Sequence, residues 1–336
     1  MKKKMLRISG LFFSLIALAA LLGFLYFNIT YPKVSPAPDL KVEITPERVE
    51  RGEYLANHVA MCMDCHSKRD WSLLSGPPTP GTMGMGGDVF DENFGFPGTI
   101  HVPNITPANL GSWTDGEIFR AITSGVSKDG HTLFPVMPYL DYRQMKEEDL
   151  LSIIAYIRTL PAIENTVPRS KINFPVNYLI RTLPQDATLP KEAPDPEKDI
   201  IAYGAYLVGI SGCNHCHTPR KEGEEPTGEI LQGGVSFNLP DGSTLRTPNL
   251  TPDEQTGIGM MTKDVFVRRF KMYADSSFQL PSVQPGSFQT IMPWKMYAGM
   301  KEEDLGAIYE YLQNLKPVHN PVVRWEPAPK KLASKE

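Results

Sequence analysis

"MCMDCH", residues 61–66, is the stretch on which the reading of this chain turns. Two cysteines stand three positions apart, and a histidine follows the second at once. A disulfide does not need that histidine. A redox dithiol or a structural zinc clip can use C-x-x-C, yet neither requires His as the next residue. The pattern returns as "CNHCH", residues 213–217. All four cysteines of the chain fall in these two motifs, and both motifs end in His although the 336 residues contain only 7 histidines.

C-x-x-C-H is the pattern of covalent haem attachment. Two thiols add across the two vinyl groups and tether the macrocycle by thioethers. The x-x spacing brings both sulfurs to one porphyrin edge, and the adjoining imidazole turns under the ring as the proximal iron ligand. Cys62, Cys65 and His66 would therefore hold one haem c, and Cys213, Cys216 and His217 a second. A Cys/His zinc site is disfavoured because the motifs lie far apart in sequence. A thioredoxin-like dithiol would need a βαβ context that the pattern does not offer.

Working outward, the motifs sit in a repeat. "GEYLANHVAMCMDCH" (52–66) returns as "GAYLVGISGCNHCH" (204–217), and "VPNITP" (102–107) as "TPNLTP" (247–252). "MPYLDYRQMKEEDLLSIIAYIRTL" (137–160) returns as "MPWKMYAGMKEEDLGAIYEYLQNL" (292–315). Two copies of one domain explain this. The expected organisation is an anchor or signal peptide at 1–32, a linker at 33–45, domain 1 at 46–163, a Pro-rich linker at 164–195, domain 2 at 196–318 and a tail at 319–336.

Each copy reads as mostly helical, so the expected class is all-α. The first helix covers about 46–60, then 196–210, and ends at the cysteine motif. A second begins after Thr114, where "TDGE" matches a capping box; Thr262 is the equivalent cap without the matching Glu. A third spans about 146–160 and 301–315, with "KEED" placing acid at the positive end of the helix dipole. No alternating pattern suggests a large sheet.

The N-terminus opens "MKKKMLR", and Ile8–Phe27 then gives 20 uncharged, mostly apolar residues. That length crosses a bilayer core of ~30 Å. It exceeds the apolar stretch of about 7–15 residues usual in a signal peptide. An uncleaved single-pass anchor is the expectation, a cleaved signal the alternative. The lysines hold this end in the cytoplasm, which places the rest on the periplasmic face of a bacterial membrane. Net charge is −4, with no nucleic-acid signature. Proline reaches 31 residues, which implies many loops and short helices.

With "CMDCH" and "CNHCH", "PNITP" and "PNLTP", and "MPY" and "MPW" ahead of a final helix, the chain resembles membrane-anchored diheme cytochromes c. These have tandem class I-like domains, each a few helices wrapped around one haem, and are similar to cytochrome c subunits of membrane-bound alcohol or gluconate-type dehydrogenases. The resemblance covers about 47–318. Dehydrogenase-associated members often carry three haem motifs; this chain carries two. The resemblance implies a methionine before proline as the sixth ligand, so the metal set would be His66, Met137, His217 and Met292. A soft, neutral thioether favours Fe(II) and suits electron transfer. It also implies that the Pro-Asn loop passes beside the haem edge.

Met145 and Met300 are also paired between the copies but adjoin a helix start, whereas Met83 and Met85 have no partner. His131 lies close before Met137 and competes as a distal ligand. His58 reads as a surface or helix-contact residue, His215 as solvent-facing, His319 as an exposed tail residue, and His101 as a contact for a propionate. Asn104 and Asn249 read as turn residues rather than glycan acceptors. Trp113, Tyr139, Trp294 and Tyr297 are pocket aromatics or plain core.

The implied function is one-electron relay. Electrons would pass from a dehydrogenase or quinol-oxidising complex to a soluble cytochrome or terminal oxidase. Two alternatives remain: a diheme peroxidase, which would need an iron with a removable distal ligand, and a haem-binding structural or sensing module.

Overall fold

The computed structural model describes residues 2–219, 230–284 and 286–328. Helix α1 (Lys2–Thr30) carries the apolar stretch, and its residues 7–30 are long and apolar enough to cross a membrane. In the first repeat follow α2 (Pro46–Tyr54), continued by a π-helical turn over Leu55–Val59, then α3 (Cys62–Cys65), α4 (Pro107–Leu110), α5 (Asp115–Ser124), α6 (Tyr139–Tyr142) and α7 (Glu147–Thr159). The Pro-rich segment holds α8 (Val176–Leu179). The second repeat comprises α9 (Ile200–Ile210), α10 (Cys213–His217), α11 (Lys263–Lys271), α12 (Trp294–Tyr297) and α13 (Glu302–Gln313).

Local chemistry sets the helix ends. Thr45 caps α2 ahead of Pro46, a residue suited to a first turn because its missing N–H costs nothing there. Thr114 closes the full capping box on α5: its Oγ1 accepts from Glu117 N at 3.1 Å, and Glu117 Oε2 accepts from Thr114 N at 2.8 Å. Thr262 caps α11 through Val265 N alone, at 3.4 Å. Helices α7 and α13 both open on Glu-Glu-Asp, as the dipole favours.

The two repeats use the same helix crossing. α2 packs on α7 through Gly52, where an added Cβ would lie 1.9 Å from Ser152 O. α9 packs on α13 through Gly204, where it would lie 2.1 Å from Ala307 O. Only glycine permits backbones this close. The apolar stripes of α7 and α13, Leu150, Ile153, Ile154 and Ile157 with Leu305, Ile308 and Leu312, are buried in one apolar core that runs through both repeats.

The protein is helix-rich rather than all-α. A three-stranded antiparallel sheet joins β1 (Val89–Phe90), β2 (Gly98–His101) and β3 (Lys171–Ile172), and a second joins β4 (Ser236–Asn238), β5 (Thr244–Arg246) and β6 (Trp325–Glu326). Strands of two to four residues are too short to print an alternation in the sequence. Both sheets recruit their third strand from outside the core of a repeat: β3 from the Pro-rich segment, β6 from the C-terminal tail.

The repeats contact each other reciprocally. Tyr54 on α2 donates its hydroxyl to Asp304 at the start of α13 and accepts from Lys301 N at 3.1 Å. Tyr206 on α9, the equivalent residue, donates to Asp149 Oδ2 at 2.7 Å and accepts from Lys146 N at 3.2 Å. Asp149 also takes the Arg51 guanidinium in two bonds of 2.9 and 3.0 Å, and Asp304 accepts from Tyr203 at 2.9 Å. Near α1, Arg181 donates to Asn28 Oδ1 at 2.8 Å and to the carbonyls of Asn28 and Tyr31, while the Tyr178 ring lies 5.9 Å from those of Phe24 and Phe27.

Candidate haem-binding sites

Each C-x-x-C-H stretch forms one helical turn at the end of the first helix of its repeat. The turn is entered through a left-handed residue, Met61 at φ 53° and Gly212 at φ 69°. Glycine adopts that backbone freely; Met61 adopts it at a cost of about 1 kcal/mol. In the first motif His66 N donates to Cys62 O at 2.9 Å, which holds the histidine against the thiol-bearing turn.

The two histidines are buried and held alike. His66 Nδ1 lies 2.8 Å from Pro103 O, and His217 Nδ1 lies 3.0 Å from Pro248 O. A carbonyl can only accept, so Nδ1 carries the proton and Nε2 keeps its lone pair for a ligand. Burial pushes the pKa of His66 down and that of His217 to about 4, so both rings are neutral. Burial pushes the Cys62, Cys65 and Cys213 thiols up to about 12 and Cys216 to about 11. Such thiols are unlike the acidic pair of a redox C-x-x-C. Among the described residues no group of three His, Cys, Asp or Glu side chains converges to hold a metal ion.

The Pro-Asn loops explain how those carbonyls are aimed. Asn104 Oδ1 accepts from Thr106 N and Oγ1, both at 2.8 Å, and its amide donates to Ile163 O at 2.8 Å. Asn249 repeats this with Thr251, at 2.9 and 2.8 Å, and with Val318 O at 2.7 Å. Both amides are buried, so these residues are turn formers, not glycan acceptors. Gly86 and Gly233 were not singled out from the sequence. Each donates its N–H to the histidine carbonyl at 2.8 Å, and each lies so close beneath the proline that a Cβ would come within 2.5 or 2.4 Å of it. Their signal was present: a Gly-Gly pair stands ahead of the Pro-Asn loop in both copies, at 86–87 and 233–234.

A cavity of about 430 Å³ opens in the first repeat, and Cys62, His66 and Met137 all line it. Trp113, Ile118, Ile122, Leu133, Ile153 and Ile157 supply apolar wall. A thiol, an imidazole with a free Nε2 and a thioether around an apolar space fit a tethered haem. His101 and His131 also reach this cavity. His131 Nδ1 is engaged by Ser127 and Asp129. In the second repeat Met292 occupies the turn that Met137 occupies in the first, since Tyr139 N and Trp294 N each donate at 2.8 Å to the carbonyl of the methionine two residues before.

The other sequence candidates fall into place as follows. Met145 and Met300 are fully buried core residues, although Met145 also touches the cavity wall. Tyr139 is core, while Tyr142 and Tyr297 donate to Ala60 O and Ser211 O, each at 2.5 Å, just before the cysteine motifs. Trp294 stacks on Tyr273. Ser67 Oγ lies 3.6 Å from Met83 Sδ. His58 is a contact residue between the repeats, with Nδ1 2.9 Å from Met296 O. His215 is exposed, and His319 is exposed with Asp253 at 3.5 Å.

No protein-family model matches the chain. It is 28% identical over 290 residues to the cytochrome c subunit of a quinone-dependent alcohol dehydrogenase from Gluconacetobacter polyoxogenes, a match covering 80% of this chain and 56% of that relative. It is 28% identical over 285 residues to the gluconate 2-dehydrogenase cytochrome c subunit of Pantoea cypripedii, covering 80% and 59%. To a diheme c-type cytochrome of Cereibacter sphaeroides it is 29% identical over 255 residues, covering 70% and 78%. The chain thus spans little more than half the length of these alcohol and gluconate dehydrogenase subunits. By motif and by similarity, the chain is related to proteins named as cytochrome c subunits of alcohol and gluconate dehydrogenases and to one named as a diheme c-type cytochrome.

Proposed function

We propose that the protein is a membrane-anchored diheme electron carrier. Cys62, Cys65 and His66 would hold one haem c with Met137 as sixth ligand; Cys213, Cys216 and His217 would hold the second with Met292. Each repeat, 46–163 and 196–318, would form one domain around its haem. The observation that carries this reading is the convergence of Cys62, His66 and Met137 on one apolar cavity. A haem bound there supplies reversible one-electron exchange. The chain's own part is to tether the ring by two sulfurs, fix His66 and His217 as Nε2 donors through the Pro103 and Pro248 carbonyls, and exclude water with apolar walls. His66 with Met137, and His217 with Met292, would together occupy the iron's ligand positions and leave none for a substrate.

The apolar α1 supports a single-pass anchor in the bacterial cytoplasmic membrane, with the haem domains on the periplasmic face. The dehydrogenase subunits among its relatives support a dehydrogenase or quinol-oxidising complex as donor. A soluble cytochrome or a terminal oxidase would be the acceptor. The test is a redox titration of the full-length protein followed by low-temperature EPR. Two one-electron, low-spin His/Met centres that a quinol-linked membrane fraction reduces would support the reading. A five-coordinate centre that turns over peroxide would replace it with a peroxidase.

A further inference from the structure

We propose that a strap from the first repeat, residues 69–76, positions Met292 of the second, with Ser75 and Gln289 as the positioning residues. This rests on the reading of Met292 as an iron ligand. The strap leaves the first haem motif only three residues after His66. Its Arg69 is buried, with Nη1 3.2 Å from Asp64 inside the "CMDCH" turn and its guanidinium 4.2 Å above the Trp71 ring. Arg69 donates to Gly76 O and Ser75 O, both at 2.7 Å, and so folds the strap back on itself.

From there the strap crosses to the other repeat. Leu74 N donates to Pro281 O at 2.9 Å, and Val283 N donates to Ser72 O at 2.8 Å. Gln289 is buried and fully used: Oε1 accepts from Ser75 N at 2.8 Å and from Thr290 N at 2.9 Å, while Nε2 donates to Leu73 O at 3.0 Å and Trp71 O at 3.3 Å. Ser75 Oγ donates directly to Met292 O at 2.5 Å, and Met292 N donates to Thr290 Oγ1 at 3.1 Å. Both backbone polar groups of Met292 are thereby pinned.

Ser75 is almost wholly buried and sits at φ 72°, a conformation a serine holds only where its surroundings dictate it. A thioether is a weak, neutral ligand, so the distance and angle at which it meets iron follow the backbone that carries it. Groups one step behind a ligand tune the centre in this way. The consequence is that residues of the first repeat set the ligation, and hence the potential, of the second haem.

The test uses the full-length holoprotein and the variants Q289A, S75G and M292L. S75G removes the Cβ and hydroxyl together, and with them the bond to Met292 O, but suits the left-handed backbone, so it guards against a folding failure in Q289A. Intact mass first establishes that each variant carries its haems. In Q289A and S75G the proposal expects one of the two potentials to fall and one of the two Met–Fe(III) signatures to weaken, the other centre staying as in the parent. If M292L removes one signature while Q289A and S75G leave both centres unchanged, or shift both equally, the positioning role is overturned and the ligand reading stands. If M292L leaves both signatures intact, the ligand reading fails and takes this proposal with it.

Discussion

At the scale of single residues, the chemistry depends on how a histidine is presented. A C-x-x-C-H motif marks the candidate ligand in the sequence, but not the carbonyl that fixes its tautomer. Pro103 and Pro248 do that, and they are aimed by Asn104 and Asn249. Replacing Asn104 with Ala leaves the buried Thr106 N without its acceptor. The expected cost is about 1–3 kcal/mol, read as a lower urea midpoint, together with a broadened EPR signal from one centre only. An unchanged midpoint would mean the turn holds itself. Met137→Leu should lower one potential and leave the other in place; a titration that still shows two His/Met centres would remove Met137 from the ligand set. The paired "MP" and "PN" motifs made most of this legible. The strap contacts of Ser75 and Gln289 were not, because neither residue has a repeat partner or a motif to mark it.

Elements come next. The long helices were readable within a few residues because apolar period, capping threonines and acidic first turns all agree. The crossings were not readable as such, although "G-x-YL" recurs in both copies; a glycine's closeness to another helix is a tertiary fact. Gly52→Ala would bring a methyl to 1.9 Å from Ser152 O. It should destabilise the fold by about 1–3 kcal/mol, measured by denaturant unfolding followed by far-UV circular dichroism. A wild-type midpoint would show that the helices have room to part. Thr114→Ala should cost about 1 kcal/mol and Thr262→Ala less, because the first cap is closed reciprocally by Glu117 and the second is not. Equal losses would contradict that ranking. The small sheets escaped the sequence since their third strands come from segments, 171–172 and 325–326, that pattern alone assigns to linker and tail.

For the molecule as a whole, the repeat was plain from the sequence and the docking of its copies was not, since an offset between motifs says nothing of how they face. The exchange of Tyr54 and Tyr206 across the contact places a hydroxyl from each repeat on a buried aspartate of the other. Y54F and Y206F should each cost about 1–3 kcal/mol. Transitions followed by haem absorbance and by helix content should stay coincident in the parent, because both repeats share one core. Two separated transitions would make the repeats independent units. Beneath all of this lies the covalent claim, and the intact mass of the purified, export-matured protein tests it most directly. The expected result is a polypeptide heavier by two haem groups; a mass with no added porphyrin would contradict the haem reading.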